Sequence, residues 1–83
     1  MIAAAIKRAL CNDLKFCETK RDILRAFTAA QKGFTQRNVP IYRRQEVLKE
    51  LRATLEECWD GPVREELLAE AKFSIDALLL ANS

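Results

Sequence analysis

Thr19-Lys20-Arg21-Asp22-Ile23-Leu24-Arg25-Ala26-Phe27-Thr28-Ala29-Ala30 decides the fold of this chain. Thr19 and Asp22 stand three residues apart immediately before an apolar run, the form of a capping box in which a hydroxyl and a carboxylate satisfy the orphan amides of a new helix. The residues that follow place Ile23, Leu24, Phe27 and Ala30 at helical spacing and so predict an inward-facing stripe. Gly33, near the end of that stripe, either stops the helix or is tolerated inside it at a cost of about 1 kcal/mol.

The same periodicity extends to both sides. Upstream, Ile2, Ile6, Ala9, Leu10, Leu14 and Cys17 recur at three- and four-residue steps and predict an amphipathic first helix. Downstream, Val39 before a proline favours extended backbone, and Pro40 suits the first turn of a third helix. That helix carries Ile41, Val47, Leu48, Leu51, Leu55, Cys58 and Trp59. Asp60-Gly61-Pro62 then turns into a fourth, lined by Val63, Leu67, Ala71, Ile75 and Leu78, with Phe73 and Leu80 off the stripe as surplus apolar surface. No alternating β-branched pattern occurs. The expectation is an all-α fold: a small antiparallel three-helix bundle over residues 1–60, with an additional C-terminal helix of the same domain over 61–83.

Composition limits what such a bundle does. The chain has 83 residues, 49% of them hydrophobic and 31% charged, with a formal net charge of +2. That is one small globular domain with a thin core, and its charge is too modest for a polyanion binder. The charge is unevenly spread, however: basic residues dominate up to Arg52, whereas Glu56, Glu57, Asp60, Glu65, Glu66 and Glu70 make the remainder acidic. A basic front half suits an acidic partner.

There is no histidine, and Cys11, Cys17 and Cys58 follow neither a paired framework nor a C-x-x-C spacing. This argues against a zinc site or a Cys-His nucleophile, and three unpaired thiols point to a reducing compartment. Glu56-Glu57 and Glu65-Glu66 are adjacent pairs whose side chains diverge by about 100° on a helix, so neither pair converges on one substrate atom. Thr54 and Ser74 lack an activating base, and neither glycine belongs to a phosphate loop. No catalytic residue is expected, and binding is the expected work. The longest apolar run, Ala77-Leu78-Leu79-Leu80-Ala81, is far too short to span a membrane.

Tyr42-Arg43-Arg44-Gln45 opening a helix, with Lys49 and Arg52 beyond, is the nearest approach to a DNA-reading helix, but Glu46 and Glu50 interleave with the basic groups. A DNA-binding regulator and a helical protein–protein adaptor are the alternatives to the reading that follows.

Ala5-Ile6-Lys7-Arg8-Ala9-Leu10, Phe16-Cys17, Lys20-Arg21-Asp22, Phe27, Phe34-Thr35-Gln36-Arg37-Asn38 and Val47-Leu48-Lys49-Glu50 through Cys58-Trp59 together resemble the LYR-motif proteins of mitochondria, most closely the accessory subunits of respiratory complex I. The likeness covers residues 5–59. The first two positions of the triplet are Ala5 and Ile6 here, and its basic third is Lys7.

The resemblance implies a non-catalytic accessory subunit or assembly factor of a respiratory complex, on the matrix side of the inner mitochondrial membrane. Its implied partners are acyl carrier protein and other subunits of a large membrane-associated assembly, with no nucleic acid and no direct membrane span. Lys7, Arg8, Lys32, Arg37, Arg43 and Arg44 would form a basic rim for the carrier's acidic helix. The implied acyl-chain groove holds Ile6, Ala9, Phe27, Ala30 and Phe34, with Ala26 and Ala29 small enough to leave it open. No cofactor or metal of its own is implied, beyond the acylated phosphopantetheine arm that a bound carrier would bring.

Overall fold

The computed structural model describes residues 2–83. Four α-helices, α1 (Ile2–Lys15), α2 (Lys20–Gln36), α3 (Ile41–Ala53) and α4 (Glu65–Ala81), carry an all-α bundle, and one turn of 3₁₀-helix at Leu55–Cys58 follows α3. Among the described residues there is no strand.

The capping box forms as its residue types require. The Asp22 amide donates to Thr19 Oγ1 at 3.1 Å, and the Asp22 carboxylate accepts from the Glu18 and Thr19 amides, each at 3.1 Å. These bonds hold the Asp22 carboxyl below its ordinary range; the Glu18 amide is the largest cause.

The other end of α2 is closed as tightly. Asn38 takes the left-handed conformation at φ 53°, the Asn38 amide donates to Thr35 O, and the Val39 amide reaches back to Phe34 O at 3.0 Å. This is a Schellman stop with asparagine in the position glycine usually fills, and Val39 buries beneath it. Gly33 is therefore inside the helix and does not end it.

Consecutive helices alternate in direction. The links Lys7–Glu50, Cys11–Cys58 and Lys15–Asp60 run in step along α1 and the α3–3₁₀ segment, so α1 and α3 are parallel neighbours. Arg64 to Glu18 O at one end and Gln31 to Asn82 at the other make α2 and α4 a second parallel pair. Around the bundle the order is α1, α2, α4, α3. The C-terminal helix thus fills a full corner, burying Leu67, Ala71, Ser74 and Ile75 against α2 and α3.

A polar knot ties that corner to the α2–α3 turn. Asn82, 1% exposed, exchanges amide bonds with Gln31 and accepts from Arg44 Nη1 at 3.1 Å, while its backbone carbonyl accepts from Gln45. Arg44 also donates to Val39 O at 2.7 Å, just beyond α2, and at 3.2 Å to Phe34 O, which already accepts the Val39 amide.

Several side chains differ from the expected stripes. Leu24 is 56% exposed, because Ile23, Ala26, Phe27, Ala30 and Phe34 already fill the core face and Leu24 lies about 100° around the helix from Ile23. Ile2 and Ile41 sit near helix starts and are also largely exposed. The third stripe does not run through one helix: α3 stops at Ala53, and the tighter 3₁₀ turn then points both Leu55 and Cys58 inward.

The cysteines depart most from expectation. Cys11 and Cys58 form a disulfide between α1 and the 3₁₀ turn, leaving only Cys17 free. The pairing spans 47 positions and arises because parallel packing of α1 beside α3 brings the two Cα atoms to 5.0 Å. The expectation of three unpaired thiols is thereby corrected.

Candidate functional site

A groove of about 290 Å³ runs between the antiparallel helices α1 and α2. The first wall is one face of α1, from Ile2 and Ala5 through Ile6 and Ala9 to Asp13. Ala26, Ala29, Ala30 and Gly33 supply the second wall at three- and four-residue steps along α2. These residues leave a channel because their side chains end at Cβ or are absent, so the two helices cannot fill the space between them. At Gly33 an added Cβ would lie 3.6 Å from Ile6 Cδ1, so Ile6 closes the floor there without crowding it. The volume is at the lower end of the roughly 300–1,000 Å³ of ligand pockets, and the lining is mainly apolar.

Charge enters only at the margins. Arg37 and Gln36 stand at the end where α2 closes, and Asp13 at the opposite one. Arg37 also borders a second cleft, together with Ile2, Pro40, Tyr42 and Arg43, so the two hollows adjoin at Ile2 and Arg37. The Schellman stop fixes this arrangement: it turns the chain back at Asn38 and brings the start of α3 beside the first residue of α1.

Of the five residues expected in the acyl groove, Ile6, Ala9 and Ala30 line this channel. Phe27 and Phe34 do not. They are 2% and 1% exposed and belong to the core behind α2. Both lie on the stripe that Ile23 begins, and that stripe points to the bundle axis.

The six expected rim residues are not gathered in one place. Arg37 is at the groove mouth and Arg43 in the adjoining cleft, where it pairs with Glu46. Arg8 is exposed on α1, and the neighbouring Lys7 bonds Glu50 of α3 at 3.1 Å. Lys32 faces away, lining a groove between α2 and α4. Arg44 is committed to the Asn82 knot, and its guanidinium lies 5.8 Å from the centre of the Phe34 ring. That corrects its expected place on the rim: a side chain holding three internal acceptors has little left to offer a partner.

The sequence did not assign Ala5, Gly33 and Gln36 to the groove, although Gly33 extends the Ala26, Ala29, Ala30 spacing by one step. It also missed the hollow between α2 and α4, which depends on the two helices being neighbours.

Beside the groove, Cys17 borders a shallow surface hollow with Asp13, Asp22 and Arg25. Burial first, then the charges of Asp22 and Asp13, push its thiol pKa up, which keeps it protonated and weakly nucleophilic. Among the described residues no cluster of three or more His, Cys, Asp or Glu side chains gathers in metal-binding geometry, and no helix is long and apolar enough to cross a membrane. No family model, no curated protein and no solved structure matches this chain.

Proposed function

We propose that this protein is a non-catalytic accessory subunit or assembly factor of a mitochondrial respiratory complex, complex I by the resemblance of residues 5–59, and that it binds acyl carrier protein. The observation that carries the reading is the α1–α2 groove itself, an apolar channel walled by alanines and a glycine that ends at Arg37. In this reading an acyl chain lies along Ala26, Ala29, Ala30 and Gly33. Arg37, with Arg43 beside it, meets the acidic carrier helix at the mouth. Arg8 extends the positive surface, and Lys32 and Arg44 take no part.

Calorimetric titration of the oxidised chain with apo, holo and octanoyl carrier protein tests this. The octanoyl form binds tightest, and Ala29→Phe, which plugs the channel, removes that advantage while leaving apo binding in place. Arg37→Glu weakens all three forms by about tenfold or more, since one charge-assisted hydrogen bond contributes about 1.5–3 kcal/mol. Equal affinity for apo and octanoyl carrier would remove the groove from the argument.

The Cys11–Cys58 bond favours a second reading: a helical adaptor that works in an oxidising compartment and has no dealings with acyl carrier protein. Absence of any carrier binding, with the disulfide intact in protein isolated from its source, selects that reading.

A further inference from the structure

The side of the bundle next to the α1–α2 groove, beyond α2, is formed by α2 and α4, and it is left unfinished. Leu24 is 56% and Phe73 69% exposed, and the two flank a hollow of about 420 Å³ between these parallel helices. Phe27, Ser74 and Ala77 help to line it. Leu80, 77% exposed, continues the apolar surface along α4. Ser74, 6% exposed, contributes to the floor of the hollow.

Two charges border the hollow, Lys32 towards the end of α2 and Glu70 in the first half of α4. Because α2 and α4 run in the same direction, these residues lie at diagonally opposite corners. Neither has an ion-pair partner among the described residues, and Glu70 is half-buried. One patch therefore carries a projecting aromatic, a hollow beside it, and one charge of each sign.

We propose that this face joins two copies of the chain in a two-fold symmetric dimer. A partner of single-sign charge would satisfy one pole and oppose the other. A second copy satisfies both, because a two-fold axis in the plane of the patch and across its other diagonal sets Lys32 of each copy against Glu70 of the other. The same operation turns Phe73 of each copy towards the hollow of its mate, where an aromatic anchor contributes most when buried centrally. The α1–α2 groove stays open in the dimer, so this inference stands independently of the carrier reading.

Sedimentation velocity on the intact oxidised chain, from micromolar to near-millimolar concentration, tests it. The parent passes from monomer to dimer. Phe73→Glu raises the dissociation constant by about thirtyfold or more, the size of a central hot spot, with an unchanged helical circular-dichroism spectrum because the side chain is exposed in the monomer. Lys32→Glu and Glu70→Lys each weaken the dimer, and the two combined restore it. A parent that stays monomeric throughout, a Phe73→Glu variant that dimerises like the parent, or a charge swap that fails to restore association overturns the proposal.

Discussion

Reducing the Cys11–Cys58 disulfide should cost this domain a large part of its stability. The bond closes a loop across a sequence separation of 47, and removing it returns that loop's closure entropy to the unfolded chain. In the chain-entropy treatment the loss is about 2.1 plus 1.5R ln n in cal/mol/K, which for n near 47 comes to about 4 kcal/mol at 25 °C. A domain of 83 residues has on the order of 4–12 kcal/mol in all at typical per-residue stabilities, so the bond decides how far above threshold the fold sits.

In a domain of this size each kcal/mol is worth about 4–8 °C, and reduction should therefore lower the melting temperature by roughly 16–32 °C. Urea titration with and without a phosphine reductant is the direct assay. The double variant Cys11→Ala with Cys58→Ala serves as the non-reducible control without introducing a buried hydroxyl. The denaturant slope should also rise on reduction, because an uncrosslinked unfolded chain exposes more surface. Oxidised and reduced proteins that agree within about 1 kcal/mol, with the bond verified by mass, would refute the loop-entropy argument for this site.

Leu51 is 2% exposed, and Leu51→Ala should cost about 2–5 kcal/mol in the same urea assay, the usual range for emptying a leucine-sized space in a core. Gly33→Ala should stabilise by roughly 0.5–1 kcal/mol: the glycine is within α2, its φ is not positive, and the new methyl makes an ordinary contact with Ile6, so a rise in melting temperature is the expected reading. Asp22 supplies a pH dependence. Its carboxyl is depressed in the folded state, so its contribution is fully present above the unfolded value near pH 3.9 and is lost as pH falls through the lower folded one. Asp22→Asn should flatten the acid limb of melting temperature against pH below about pH 4, and an unchanged limb would assign that loss to other carboxylates.

By itself the sequence determined the secondary structure and most of the core, because those depend on interactions within a few residues. Thr19 and Asp22 close a bond ring three residues wide, and Ile23, Phe27, Ala30 and Phe34 share a face at any helix of ordinary pitch. The small residues of the α1–α2 groove were legible for the same reason, since Ala26, Ala29 and Ala30 repeat at helical steps. The tertiary structure decided everything that depends on which helices become neighbours. Periodicity says that a helix has an inner face; it does not say that α4 packs beside α2, that α1 runs parallel to α3, or that Cys11 therefore meets Cys58 across 47 positions. The same packing set the fate of single charges: Arg44 folds inward to hold Asn82 and the carbonyls of Phe34 and Val39, Lys7 turns to Glu50, and Lys32 is carried to the adjoining α2–α4 face, whereas Arg37 alone of the expected rim remains at the mouth of the groove. Local bonding fixes where a helix begins, but a side chain's partner is fixed by what the rest of the chain brings within reach of it.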